Sequence, residues 1–296
     1  MPGHLGGLTW ACMPIPSHAP LAATLTSLVS VQIGAAVAKT LFPQVGPEGV
    51  AALRLGLAAL VLVLWLRPWQ LSLNRSNWLA LLGYGTVMAM MNLLIYRAFD
   101  YIPVGIAISI EVLGPLAMAL LTSHRRLDVL WVCFALTGVA LLPLGSLSAS
   151  LDPRGVAYAA LAGMFWGLYV MVGKKTAPLG ARGVAIGMGM AALLVVPLGI
   201  AQAGLRLLTP EVLLIGALVA VLSSAMPFLL DMYALKHLPR RVFGVLMSAS
   251  PAVSALAGQW ILGEHLHPLQ WLGIGAISVA CLGSALATHA DLRQDR

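Results

Sequence analysis

Charges, prolines and glycines divide the chain into ten long apolar stretches, near residues 20–41, 48–66, 77–96, 103–122, 127–145, 153–172, 180–202, 211–235, 240–262 and 267–288. Each is close to the ~20 residues that an α-helix needs to cross a bilayer core. The pattern predicts an all-α membrane protein of ten transmembrane helices. The connections are short and leave no room for a soluble domain. Residues 1–19 are apolar, rich in Pro and Gly, and lack a basic n-region, so they read as an N-terminal tail rather than a cleaved signal. Residues 289–296 read as a C-terminal tail.

Composition agrees with this and excludes other classes. Of 296 residues, 60% are hydrophobic and 9% charged, and the mean hydropathy is +0.92. A water-soluble globule could not cover its surface with so few charges, and a disordered chain would not be so apolar. The net charge of +7 would suggest nucleic acid in a soluble protein. Here basic loop residues that set membrane topology explain it better. Cys12, Cys133 and Cys281 stand far apart, so neither a disulfide framework nor a metal site is implied.

Assigned alternately to the loops, twelve Lys and Arg fall on one side, including Arg67, Arg125, Lys174 and Arg240. Four fall on the other, Lys39, Arg97, Arg154 and Arg206, and Arg54 lies inside a span. Basic loops stay in the cytoplasm. Both termini of this multi-pass protein are therefore expected there.

The chain also repeats itself. Shifted by 134–136 residues, MMNLLIYRAFDYIP (90–103) falls on MPFLLDMYALKHLP (226–239), and GVAALRLGLAAL (49–60) falls on GVAIGMGMAALL (183–194). Pro103 and Pro115 are twelve apart, as are Pro239 and Pro251. This predicts two five-helix repeats, residues 20–148 and 149–288. With five helices each, the second copy must enter the membrane from the opposite side. An inverted 5+5 repeat is the architecture of alternating-access transporters, whose substrate sits near the midplane between the repeats.

Polar groups inside the spans are the candidate site, because each is costly there. Glu111 is eight residues into the fourth span, ~12 Å deep. Pro115 follows four residues later and removes the amide that would bond the Glu111 carbonyl. Pro251 does the same for Met247. Arg54, Gln32 and Lys39 lie in the same outer half, and Asn92 and Tyr96 share a helix face one turn apart. Two cations and one carboxylate around a cavity suit a zwitterion, with Arg54 or Lys39 on the carboxylate and Glu111 on the ammonium. Arg is the better clamp because its planar fork binds bidentately.

The plainer alternatives stay open. Lys39 also fits a snorkelling side chain, Glu111 a structural partner of Arg54, and Asn92 an interhelical hydrogen bond. Trp166 and Tyr169 are too deep for an interfacial belt and read as pocket walls. Ser248, Ser250 and Ser254 surround Pro251 and read as lining of the inner cavity. Asp231 reads as a charge paired near Lys236, Arg240 and Arg241. Gly163 and Gly167 form a GxxxG pair, which reads as close helix packing.

Nothing enzymatic stands out. Glu264-His265-Leu266-His267 lacks i, i+4 spacing and reads as a loop. No nucleotide-binding or hydrolase motif is present, and no metal or other cofactor is expected. Uphill transport would then use an ion gradient, with Glu111 as the natural proton carrier. A membrane-embedded transferase is the distant alternative.

Several stretches carry a resemblance: AKTLFPQVG (38–46), GVAALRLGLAALVL (49–62), MNLLIYRA (91–98), PVGIAISIEVLGPLAMAL (103–120) and FGVLMSASPAVSALAG (243–258). With the ten-helix duplicated plan, they resemble the drug/metabolite transporter superfamily of the EamA type, and within it the bacterial exporters of threonine and homoserine. The resemblance implies proton-coupled export of small neutral amino acids. It also implies a substrate site that includes Gln32, Lys39, Arg54, Asn92, Tyr96, Glu111, Trp166 and Tyr169. Ser250 departs from it, standing where the resemblance leads one to expect an acidic residue. Broader drug or metabolite efflux, or export of aromatic or sulfur-containing amino acids, is the alternative within the superfamily. Whether the protein is a monomer or a homodimer is left open.

Overall fold

The computed structural model describes residues 18–121, 128–144 and 151–294. Among these residues the structure is helical, with no strand. The helices are α1 (Ala19–Thr40), α2 (Phe42–Leu66), α3 (Arg75–Tyr101), α4 (Val104–Glu111), α5 (Leu113–Leu121), α6 (Asp128–Leu144) and α7 (Pro153–Thr176). They continue as α8 (Gly180–Ala203), α9 (Pro210–Ala220), α10 (Met226–His237), α11 (Arg240–Met247), α12 (Ser250–Leu262) and α13 (Pro268–Gln294). Each predicted apolar stretch falls on this helical structure. Seven segments of the described residues are long and apolar enough to cross a membrane. One of them, Pro153–Leu208, is 56 residues long and holds both α7 and α8. Val104–Met118 and Val129–Leu144 are shorter apolar helical segments. The expected N-terminal tail lies outside the described residues except for its last two.

The surface is that of a protein immersed in lipid. Leu193, Leu205 and Leu214 are 76%, 83% and 73% exposed, a distribution that water would penalise. Exposed tryptophans stand at both ends of the bundle, with Trp65, Trp69 and Trp78 at one and Trp260 at the other, as interfacial anchors do. The chain is a multi-pass membrane protein.

Prolines dictate where the helices break. α4 and α11 each begin directly after a proline, Pro103 or Pro239, and each ends four residues before the next, Pro115 or Pro251. A proline cannot donate to the carbonyl four residues back, so the ladder opens at that point. The two breaks share one geometry. Val112 has φ −64° and ψ −16°, and Ser248 has φ −63° and ψ −17°. Each of these residues sends its N–H to the carbonyls four and two residues back. Val104 and Glu111 are both 136 residues from their counterparts, Arg240 and Met247. A third interruption is the π-turn Val221–Ala225 between α9 and α10, just before Pro227.

Within the bundle, α2 packs on α8, α3 on α7, α1 on α10 and α12, α4 on α12, and α6 on α13. The α2 start is kinked. Gly46, at φ +70° and ψ 171°, adopts a backbone that L side chains rarely take. The carboxamide Oε1 of Gln202 on α8 caps the helix beyond the kink, accepting from Glu48 N at 3.0 Å and Gly49 N at 3.2 Å. The expected loop at Glu264–His267 is irregular backbone, as read.

Candidate functional site: the layer of helix breaks

Three carbonyls freed by proline meet three different partners. Pro115 frees the Glu111 oxygen, which faces Gly163 of α7; a Cβ on Gly163 would lie 2.6 Å from it. Gly114 is pressed against the Gly163 backbone in turn, and Gly167 lies against Met118 and Gly114. The GxxxG pair is therefore a packing surface for the broken helix, as the spacing suggests. Pro251 frees the Met247 oxygen, and the Ser250 hydroxyl donates to it at 2.7 Å. Pro227 frees the Ser223 oxygen, which accepts from Arg54 Nη2 at 3.1 Å.

Arg54 is therefore held from several sides. Its Nε donates to Ser224 Oγ at 3.3 Å and its Nη1 reaches Tyr96 Oη at 3.5 Å. The guanidinium carbon lies 5.7 Å from the centroid of the Tyr96 ring. Tyr96 is fully buried between Phe42 and Phe99. A bare cation at this depth costs ~2.5–3.5 kcal/mol on insertion scales, and these contacts offset it. Arg54 and Glu111 do not form an ion pair, so the expected alternative of Glu111 as a direct partner of Arg54 has no counterpart in the geometry.

Glu111 is 6% exposed and Gln32 5%. The Gln32 Oε1 is buried and has no hydrogen-bond partner among the described residues, and leaving such a group unpaired is costly. Its depth follows from a fixed contact nearby. Lys39 Nζ donates to Ile102 O at 3.2 Å, beside the start of α4. Stepping seven residues along α1 from Lys39 reaches Gln32 on nearly the same face, ~10 Å away. Stepping seven along α4 from Val104 reaches Glu111, at a similar depth. A carboxylate and an unsatisfied amide oxygen thus share one layer, with Arg54 held near it.

The other predicted residues take different positions. Lys39 pairs with Glu264 at 2.8 Å. Asn92 is buried and donates its amide to Met88 O of its own helix at 2.9 Å, a bond within α3 rather than between helices. The Tyr169 hydroxyl bonds that of Tyr84 at 2.7 Å, with the rings stacked at 4.9 Å. Trp166 packs half-buried against the core. Ser248 and Ser254 donate to Val245 O and Pro251 O of their own turns, at 2.6 Å and 2.8 Å. Asp231 Oδ1 is buried without a hydrogen-bond partner; of the cations expected beside it, the side chains of Arg240 and Arg241 lie outside the described residues.

Ser223, Ser224, Glu264 and Tyr84 escaped sequence reasoning. For Ser223 a signal existed, since Pro227 stands four residues later, as Pro115 does after Glu111. A hollow of about 570 Å³ between α2, α8 and α9 is lined by apolar groups such as Leu53, Leu57, Val196 and Leu213. It offers nothing to hold a zwitterion.

Comparison with known proteins agrees with this architecture. The EamA-like transporter family model matches residues 153–286. The threonine/homoserine exporter RhtA of Escherichia coli K12 is 43% identical over 279 residues, covering 94% of this chain and 95% of that protein. RhtA of Salmonella typhimurium LT2 is equally similar over the same span. An uncharacterized transporter of Bacillus subtilis, YwfM, is 28% identical over 79% of this chain and 82% of its own. A crystal structure 17% identical in sequence shares the fold, with a TM-score of 0.62 over 93% of this chain and 98% of its own. These relatives are transporters rather than enzymes. The chain belongs to the EamA-like transporter family.

Proposed function

We propose that this protein exports small neutral amino acids of the threonine/homoserine kind across a bacterial inner membrane, in exchange for protons. The RhtA relatives, threonine/homoserine exporters 43% identical over 94% of the chain, support the substrate class. Ten spans would form two inverted five-helix repeats with both termini in the cytoplasm. Two features support that plan: the matched breaks 136 residues apart and the helix pairing. Exchanging the halves turns the α1–α10 contact into the α7–α3 contact and the α1–α12 contact into the α7–α5 contact, while α2–α8 and α6–α13 map onto themselves.

The observation that carries the site assignment is the buried, unpartnered Gln32 oxygen, which counting the helix rise puts near the depth of Glu111. Both groups accept hydrogen bonds, and an ammonium donates three. In this reading the substrate ammonium sits between them and the substrate carboxylate faces the Arg54 guanidinium, whose Tyr96 and Ser224 contacts are the longest it makes. Glu111 binds either the ammonium or a proton, and that exclusivity couples the two fluxes. Trp166 and the Tyr84–Tyr169 pair wall the cavity, with Asn92 and Ser248 at its margins. Lys39, engaged by Glu264, lies a layer away.

Efflux from proteoliposomes loaded with a panel of amino acids, with and without an imposed proton gradient, tests the proposal. Gradient-stimulated release of threonine and homoserine is expected. Release of none of the panel would refute it. The stacked tyrosines favour a second reading, export of aromatic or sulfur-containing amino acids, which the same panel separates.

A further inference from the structure

One carboxylate ties three helix ends together. Glu264 follows Gly263, whose φ of +68° turns the chain back at the end of α12. Its N–H then bonds Gly258 O at 3.2 Å. Gly258 has no side chain, and a Cβ there would collide with the Glu264 carboxylate. Folded back in this way, Oε1 accepts from Lys39 Nζ of α1 at 2.8 Å. Oε2 accepts from Val104 N, the first amide of α4, at 2.9 Å. Lys39 completes the cluster through Ile102 O.

Just inside this cluster α4 and α12 touch backbone to backbone. A Cβ on Gly105 would lie 2.5 Å from Ala255 Cα. Beyond the breaks α5 packs mainly on α7 and α11 on α13. The two broken helices are thus joined most closely at the Lys39 end. The side chains of Lys39 and Glu264 are 22% and 13% exposed. Ile102 O and Val104 N–H are end groups that water can satisfy once the carboxylate leaves. A clasp built this way is reversible, because water replaces every bond it loses.

We propose that Glu264 and Lys39 are the outer gate of the transport cycle, clasped while the site faces the cytoplasm and parted to release substrate outside. This rests on the orientation and alternating access of the function proposed above. It makes Glu264 a positioning residue, acting on Glu111 through the α4 N-terminus, and it gives the Glu264–His267 loop a role.

The test reads accessibility and needs no transported amino acid. In full-length protein with Cys12, Cys133 and Cys281 replaced by Ser, Ile108→Cys places a thiol one turn inward of Gly105 on the same face of α4. A membrane-impermeant maleimide is applied from outside. Glu264→Gln and Lys39→Met are each expected to raise the labelling rate about tenfold, and Lys39→Arg to stay within about twofold of the parent. Unchanged rates in both of the first two variants would overturn the proposal, and so would Lys39→Arg labelling as fast as Lys39→Met. Lys39→Met leaves the Val104 contact in place, so it serves if Glu264→Gln fails to fold. Absence of threonine efflux would count against the transport reading alone.

Discussion

Arg54 of α2 donates to the backbone oxygen of Ser223 at 3.1 Å, a carbonyl four residues before Pro227. A cation inside the bundle is thereby tied to an interruption in the opposite half of the chain. The guanidinium fork matters here, because it addresses Ser223 O, Ser224 Oγ and Tyr96 Oη at once. Hydrogen bonds from a charged group are worth ~1.5–3 kcal/mol each. Arg54→Lys keeps the charge and loses the fork, so it is expected to lower threonine efflux at least about tenfold. Lys39→Arg should cost less, and initial efflux rates of the two variants decide the order.

Gln32→Leu should separate stability from binding. Its oxygen is buried without a partner, and replacing an unsatisfied polar group with an apolar one of similar size is neutral or stabilising. The melting temperature of detergent-purified protein should hold or rise. Threonine affinity should fall about tenfold, or ~1.4 kcal/mol. Calorimetric titration measures the second effect and differential scanning fluorimetry the first.

The α4–α5 break depends on bare backbone. A Cβ on Gly114 would overlap the Gly163 carbonyl, which belongs to a rigid helix and cannot rotate away. Gly114→Ala should therefore destabilise by at least ~1–3 kcal/mol, the range for overpacking, and reduce the folded yield. At Gly275 nothing lies within 4 Å of the added Cβ. Gly275→Ala should leave the melting temperature unchanged, which makes it the matched control.

Much of this was legible in the chain, and what was not has a common cause. The helical character of the apolar stretches could be read because blocks of apolar residues are local, and so could the breaks at Pro115 and Pro251, since proline acts on the carbonyl four residues back. The fate of each freed carbonyl could not. Glu111 O faces Gly163, Met247 O takes the Ser250 hydroxyl, and Ser223 O takes Arg54. Two of these three partners come from other helices. The partner of Lys39 was hidden for the same reason: Glu264 is 225 residues away and is delivered by a left-handed glycine turn. Gly163 and Gly167 succeeded because a small-residue pair at i, i+4 can only permit close approach.

The most direct measurement is threonine efflux from loaded proteoliposomes under an imposed pH gradient, comparing the wild type with Glu111→Gln. Glutamine keeps the shape and the acceptor oxygen but cannot exchange a proton. The wild type should accelerate with the gradient, while Glu111→Gln, inserted and folded, should show no response to it. Gradient-driven efflux from Glu111→Gln at the wild-type rate would contradict the coupling of proton to substrate at this carboxylate.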